Sequence, residues 1–224
     1  MHWVYYSGRI LARLILVTMT RWQVKGRYNI PEQGPLLIVS NHLHVVDPPT
    51  IAASLPLKTV FMAKEELFHH CFSRYIVKNF GSFPVRRRGV DREALRQAEY
   101  WLKRGVSLII FPEGKRSSTI EMQPAFPGSA HLASRFGFPV LPVSITGTEK
   151  LREPFWWLRR PRITVNIGQP FYLPSANGKQ TKEELYQLAD SIMEHIAALL
   201  PLEYRGSYAR EGKINYQPSG KNRS

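Results

Sequence analysis

The chain has 224 residues, with 31 Lys and Arg against 17 Asp and Glu, a formal net charge of +14 and one Cys. That length suits a single domain with a sizeable core, while one Cys excludes an internal disulfide framework, and no Cys/His set has the spacing of a metal site. The charge calls for an anionic partner, a membrane surface or a nucleic acid, and the lack of any standard nucleic-acid motif favours the membrane.

Residues 3 to 22 are largely apolar but carry Arg9, Arg13 and Arg21, so no uncharged run reaches the ~18 residues that a spanning helix wants. Val4, Ile10, Leu11, Leu14, Ile15, Thr18 and Trp22 recur at roughly helical spacing. This predicts an amphipathic helix lying at a membrane interface, with Trp3, Tyr5, Tyr6 and Trp22 as its aromatic anchors. The plainer alternative is a helix packed on the domain. The small-residue cleavage site of a signal peptide is missing. The chain thus divides into an N-terminal membrane-associating helix (1–25), an α/β domain (26–202) and a basic, Gly/Ser/Asn-rich loose tail (203–224).

Pro35 to Val39 reads as a buried strand that delivers Ser40-Asn41-His42-Leu43-His44-Val45-Val46-Asp47-Pro48-Pro49 into a loop. Residues five apart do not share a helix face, so His42 and Asp47 meet only if the segment is a turn and the helix starts at Pro48. A His oriented by a carboxylate is the general-base half of a triad, able to take a proton from a hydroxyl supplied by a substrate. The competing explanation is a capped helix start, with Asp47 at N-cap, Pro48 at N1 and His42 an ordinary histidine. A metal site of His42, His44 and Asp47 is disfavoured, because His69-His70, His131 and His195 lie on separate elements.

Pro48 to Leu55 reads as a helix, Lys58 to Ala63 as a strand and Lys64 to Lys78 as a helix with His69 and His70 on its surface. Cys71 is more naturally a small core residue than a nucleophile. Phe80 to Gly89 is a short apolar strand followed by Arg86, Arg87 and Arg88, an anion site or a solvated basic edge. Asp91 caps a helix through Arg104, which Gly105 ends. Val106 to Phe111 is a second buried strand, running into Pro112-Glu113-Gly114-Lys115-Arg116-Ser117-Ser118. Gly114 lets backbone approach a ligand, Lys115 and Arg116 can hold a phosphate, and Glu113 can accept hydrogen bonds from a polyol. Ser129 to Phe136 is a helix. Val140 to Ile145 is a strand in which Pro142 indicates an edge or a bulge. Lys150 to Arg162 interleaves aromatics with cations, a pattern suited to a headgroup layer. Arg162 to Ile167 reads as a strand with an edge position expected, and the Thr181–Glu184 capping box opens an amphipathic helix through Leu200. Alternating strands and helices predict one α/β domain on a largely parallel or mixed sheet flanked by helices.

Four of these segments, in this order and at these separations, resemble the sequence blocks of the glycerolipid acyltransferases, most closely the 1-acylglycerol-3-phosphate acyltransferases. They are Asn41-His42-x4-Asp47, Gly81-x-x-Pro84-Val85-x-Arg87, Phe111-Pro112-Glu113-Gly114-x-Arg116-Ser117 and Val140-x-Pro142-Val143. The likeness spans roughly residues 30 to 170. It departs from the family at Lys115, where Thr is common, and at Pro127, where a basic residue is frequent. The resemblance implies transfer of a fatty acyl group from a thioester, acyl-coenzyme A or acyl carrier protein, to a hydroxyl of a lysophospholipid. It implies His42 as base, Asp47 as its orienting partner, Arg87 and Arg116 on the acceptor phosphate and Glu113 on the glycerol, with Gly114 and Ser117 completing the binding loop. No bound cofactor or metal is implied, and the expected location is the cytoplasmic face of an anionic membrane. Alternatives are a membrane- or nucleic-acid-binding module without turnover and a lipid or thioester hydrolase.

Overall fold

The computed structural model describes residues 3–86, 91–175, 178 and 180–209. Its strands are β1 (Arg21–Lys25), β2 (Leu37–Ser40), β3 (Thr59–Lys64), β4 (Ser82–Val85), β5 (Ser107–Ile110), β6 (Val140–Thr146) and β7 (Arg162–Ile167). They form one sheet in the order β1-β7-β6-β2-β5-β3-β4. Every neighbouring pair is parallel except β6–β7, so the sheet is mixed. The helices are α1 (Trp3–Met19), α2 (Asp47–Ser54), α3 (Cys71–Asn79), α4 (Arg92–Lys103), α5 (Gly128–Phe136), the single turn α6 (Trp156–Arg159) and α7 (Lys182–Ala197).

The central strands β2 and β5 are buried at every position because both sheet faces are covered. Alternation then sorts their side chains. Leu37, Val39, Leu108 and Ile110 join Ala98, Leu102, Leu132, Ile192 and Ile196 of α4, α5 and α7. Ile38, Ile109, Leu141 and Val143 face the other way, onto Ile51, Ala52 and Leu55 at α2. Each such Leu or Ile contributes roughly 1.5–3 kcal/mol by burial. The helix starts follow their sequence signals: Asp91 accepts from the Glu93 and Ala94 amides at 3.1 Å, and Thr181 and Glu184 form a reciprocal capping box.

Several elements differ from expectation. α1 ends at Met19, and Arg21–Lys25 is an edge strand of the main sheet, paired with β7. β7 is therefore internal. Tyr5 and Trp22 face inward: Tyr5 is buried with its hydroxyl on Thr59, and Trp22 packs beside Leu16 and Ile163. Trp3 and Tyr6 are exposed, as are Ile10, Leu11, Leu14 and Ile15. The expected helix 64–78 breaks into a 3₁₀ turn, Glu65–Phe68, and α3, and Cys71 is exposed rather than core. Pro142 lies in an internal strand at a bulge. Between the Val140–Phe171 bridge and the Val143–Ile167 pair, two residues of β6 face three of the returning chain, so its missing N–H falls where the ladder is irregular. Residues 203–209 belong to the fold: Tyr204 is buried, its carbonyl accepts from the Met122 amide at 2.8 Å, and its hydroxyl donates to Glu149 at 2.8 Å.

Candidate active site

β6, β2 and β5 are adjacent and parallel, so their following loops leave the same edge of the sheet. The carboxyl ends of strands are where α/β sheets place ligands. Asn41, buried at the end of β2, continues the ladder with its side chain: Nδ2 donates to the Ile145 carbonyl and Oδ1 accepts from the Ile145 amide, both at 2.9 Å. This pins the next residue, His42, over the middle of the sheet.

His42 Nδ1 lies 2.8 Å from Asp47 Oδ2. An ionised carboxylate only accepts, so the ring proton sits on Nδ1 and the lone pair on Nε2. Nε2 has no hydrogen-bond partner among the described residues. The ring stacks on Phe111, centroids 4.1 Å apart, which limits its rotation. Asp47 opens α2 but does not cap it. Its carboxylate turns back over the loop instead. Oδ2 accepts from the Leu43 and His44 amides at 2.6 Å each, and Oδ1 from the Thr148 hydroxyl at 2.7 Å. The carboxylate is fully buried, and these donors offset the cost of burying it. Two amides and a hydroxyl fix the carboxylate, and the carboxylate fixes the imidazole.

The loop after β5 lies against this turn. The Ser117 amide donates to the His42 carbonyl at 2.8 Å. Glu113 is 1% exposed; its Oε1 accepts from the His42 amide at 2.9 Å and its Oε2 from the Gln123 amide at 3.0 Å. Burial pushes its pKa up to about 7, with the two amides and Lys115 pulling the other way and Asp47 adding to the rise. Glu113 thus braces the loops from inside, one main-chain amide on each oxygen. Ser117 is also internal, with its hydroxyl donating to the Glu121 carbonyl at 2.8 Å. Gly114 has φ +66°, and a Cβ there would stand 2.8 Å from the Phe126 ring. Lys115 and Arg116 are exposed on a cavity of about 360 Å³, lined also by Ser117, Ser118 and Arg152. Arg87 lies outside the described residues. The strand before it, β4, ends at the same edge of the sheet but three strands from β2, roughly 14 Å away at ordinary strand spacing.

Two side chains were not singled out from the sequence. Thr148 reaches Asp47 across 101 positions. Arg152, four residues on, donates through Nη2 to the Leu43 carbonyl and, at 3.2 Å, to the Ser117 carbonyl. Both sit on the 3₁₀ turn Thr148–Arg152 after β6. The sequence signal available was that this turn follows a strand adjacent to β2. His44, next to them, has its pKa lowered, chiefly by burial.

The family model described as Acyltransferase matches residues 21–146. The chain is 26% identical over 178 residues to the 1-acyl-sn-glycerol-3-phosphate acyltransferase of Bacillus subtilis, covering 79% of this chain and 87% of that protein. It is 28% identical over 193 residues to the Streptococcus pneumoniae protein of the same name, covering 82% and 70%. Its fold is similar to the crystal structure of the 1-acyl-sn-glycerophosphate acyltransferase PlsC from Thermotoga maritima, with TM-score 0.67 and 27% identity over 93% of this chain and 81% of that one. The family match covers more than half of the sequence and takes in the His42–Asp47 turn and the loop after β5, and on that ground the chain belongs to the acyltransferase family.

Proposed function

We propose that the protein transfers a fatty acyl group from a thioester, acyl-coenzyme A or acyl carrier protein, to the free hydroxyl of 1-acyl-sn-glycerol 3-phosphate, giving phosphatidic acid. The observation that carries this reading is the Asp47–His42 pair, with Nε2 open, beside a cavity edged by Lys115 and Arg116. His42 Nε2 takes the acceptor's hydroxyl proton as that oxygen attacks the thioester carbonyl. Asp47 stabilises the imidazolium. The carbon–sulfur bond then breaks, and the imidazolium returns the proton to the leaving thiolate. Holding the phosphate at Arg116 orients the acceptor for attack; Arg87 remains a proposed partner of the same phosphate. The Ser117 hydroxyl, bonded within the protein, is not called on as a nucleophile.

The relatives' activity, acylation of 1-acyl-sn-glycerol 3-phosphate by their names, supports the acceptor, and the basic, aromatic-bearing surface supports work at an anionic membrane, which we assign to the cytoplasmic face. The test is thiol release from acyl-coenzyme A, and then from acyl carrier protein, with and without lysophosphatidic acid. Acceptor-dependent release with a diacyl product is expected, reduced about a thousandfold in a folded His42→Ala variant. Release without acceptor would make the protein a hydrolase. No release with either donor would overturn the proposal.

A further inference from the structure

Arg152 stands outside the four sequence blocks, yet it joins two of them. Its Nη2 bonds the carbonyls of Leu43, in the His42–Asp47 turn, and Ser117, in the loop after β5. Nε and Nη1 have no partner among the described residues, and the side chain lines the same cavity as Lys115 and Arg116. None of these three cations has a carboxylate within ion-pair distance among the described residues. The nearby acids are otherwise engaged: Glu113 on two amides, Asp47 on His42, and Glu149 on the Gly147 amide and Tyr204. A guanidinium with one edge fixed and the other free is preorganised for a tetrahedral oxyanion. Its geometry is set before the ligand arrives, so little rotamer entropy is lost on binding.

We propose that Arg152 binds the acceptor's phosphate together with Arg116 and sets the preference for phosphorylated acceptors. This rests on the acyl-transfer reading for its substrate, but not for its chemistry, which is recognition of a phosphomonoester. Because Nη2 also ties the two loops, the same residue that meets the phosphate holds Leu43, one position from the base.

The experiment compares wild type with Arg152→Ala and Arg152→Lys in two measurements. The first is KM and kcat for lysophosphatidic acid. The second is calorimetric binding of glycerol 3-phosphate. Loss of one charge-assisted fork should raise KM and weaken glycerol 3-phosphate binding about tenfold or more in Arg152→Ala, with kcat changed much less. Arg152→Lys, which keeps the charge without the fork, should fall between, and it decides the matter if the alanine variant does not fold. A fall in kcat with KM and glycerol 3-phosphate affinity unchanged would mean that Arg152 only braces the loops, and would overturn the proposal. So would no change in either, or no binding of glycerol 3-phosphate to wild type. If wild type binds glycerol 3-phosphate yet does not acylate lysophosphatidic acid, the acyl-transfer reading fails while the titration still decides the part of Arg152.

Discussion

Burial holds the Glu113 carboxyl up at about 7, well above its ordinary 4.5. The folded protein therefore favours the neutral acid more than the unfolded chain does. The associated stability is fully present below the unfolded value and is lost as pH rises through the folded one. A shift of this size corresponds to about 3 kcal/mol, lost between roughly pH 4.5 and 7. Denaturant unfolding across that window should show the decline in wild type and a flatter profile in Glu113→Gln. The variant should also be less stable at low pH by about 1–3 kcal/mol, since one amide donor must now face the Gln123 or His42 N–H. Equal slopes in the two proteins would contradict the shift. At this scale the sequence revealed local partners and hid distant ones. His42 and Asp47 could be paired because they stand five positions apart in a single turn. Thr148 and Arg152 could not be placed, because nothing in a strand's sequence says which strand will lie beside it.

Among the elements, the loop after β5 depends on one conformation. Gly114 is left-handed, and its Cα faces the Phe126 ring. Gly114→Ala adds both backbone strain and a contact with a packed aromatic, costing about 1–3 kcal/mol. Its unfolding midpoint should drop, and its turnover should fall by more than the folded fraction explains, because Lys115, Arg116 and Ser117 move with the turn; unchanged turnover per folded molecule would show that the loop tolerates the shift. The buried strands were legible because their apolar runs are short and bounded by Gly and Pro. β1 was not. Arg21-Trp22-Gln23-Val24-Lys25 alternates as an edge strand should, but it follows α1 with no Gly or Pro to mark the helix end, and the apolar pattern runs on into it. The break at His69–His70 was hidden for a similar reason: a 3₁₀ turn followed by an α-helix keeps enough of the helical period to pass for one.

For the molecule as a whole, α1 carries an unusual distribution. Arg9 turns inward, its guanidinium donating to the carbonyls of Leu55 and Leu57 past the end of α2, while Trp3, Tyr6, Ile10, Leu14 and Val17 point out. Arg160 reaches the Val17 carbonyl at 3.3 Å, which brings the exposed Phe155, Trp157 and Leu158 to the same end. No helix among the described residues is long and apolar enough to cross a membrane. This surface, on a chain of net charge +14, is the one we propose meets anionic lipid. Sedimentation with phosphatidylglycerol vesicles should capture the protein, less at high salt as charges are screened. Ile10→Glu with Leu14→Glu should weaken capture at least about tenfold, since each removes an exposed apolar side chain whose burial in lipid would contribute roughly 1.5–3 kcal/mol. Capture unaffected by the pair would place the contact elsewhere.

The site is closed largely by main-chain atoms. The His42 amide meets Glu113, the His42 carbonyl meets the Ser117 amide, and the Leu43 carbonyl meets Arg152. Main-chain groups are the same whatever residue carries them, so side-chain replacements at the exposed Val45 leave these bonds available. Adding or removing a single residue between Asn41 and Asp47, or between Phe111 and Ser117, shifts bonds that join the two loops out of register. In descendants of this chain, substitutions should accumulate at exposed positions of these loops such as Val45, while insertions and deletions do not.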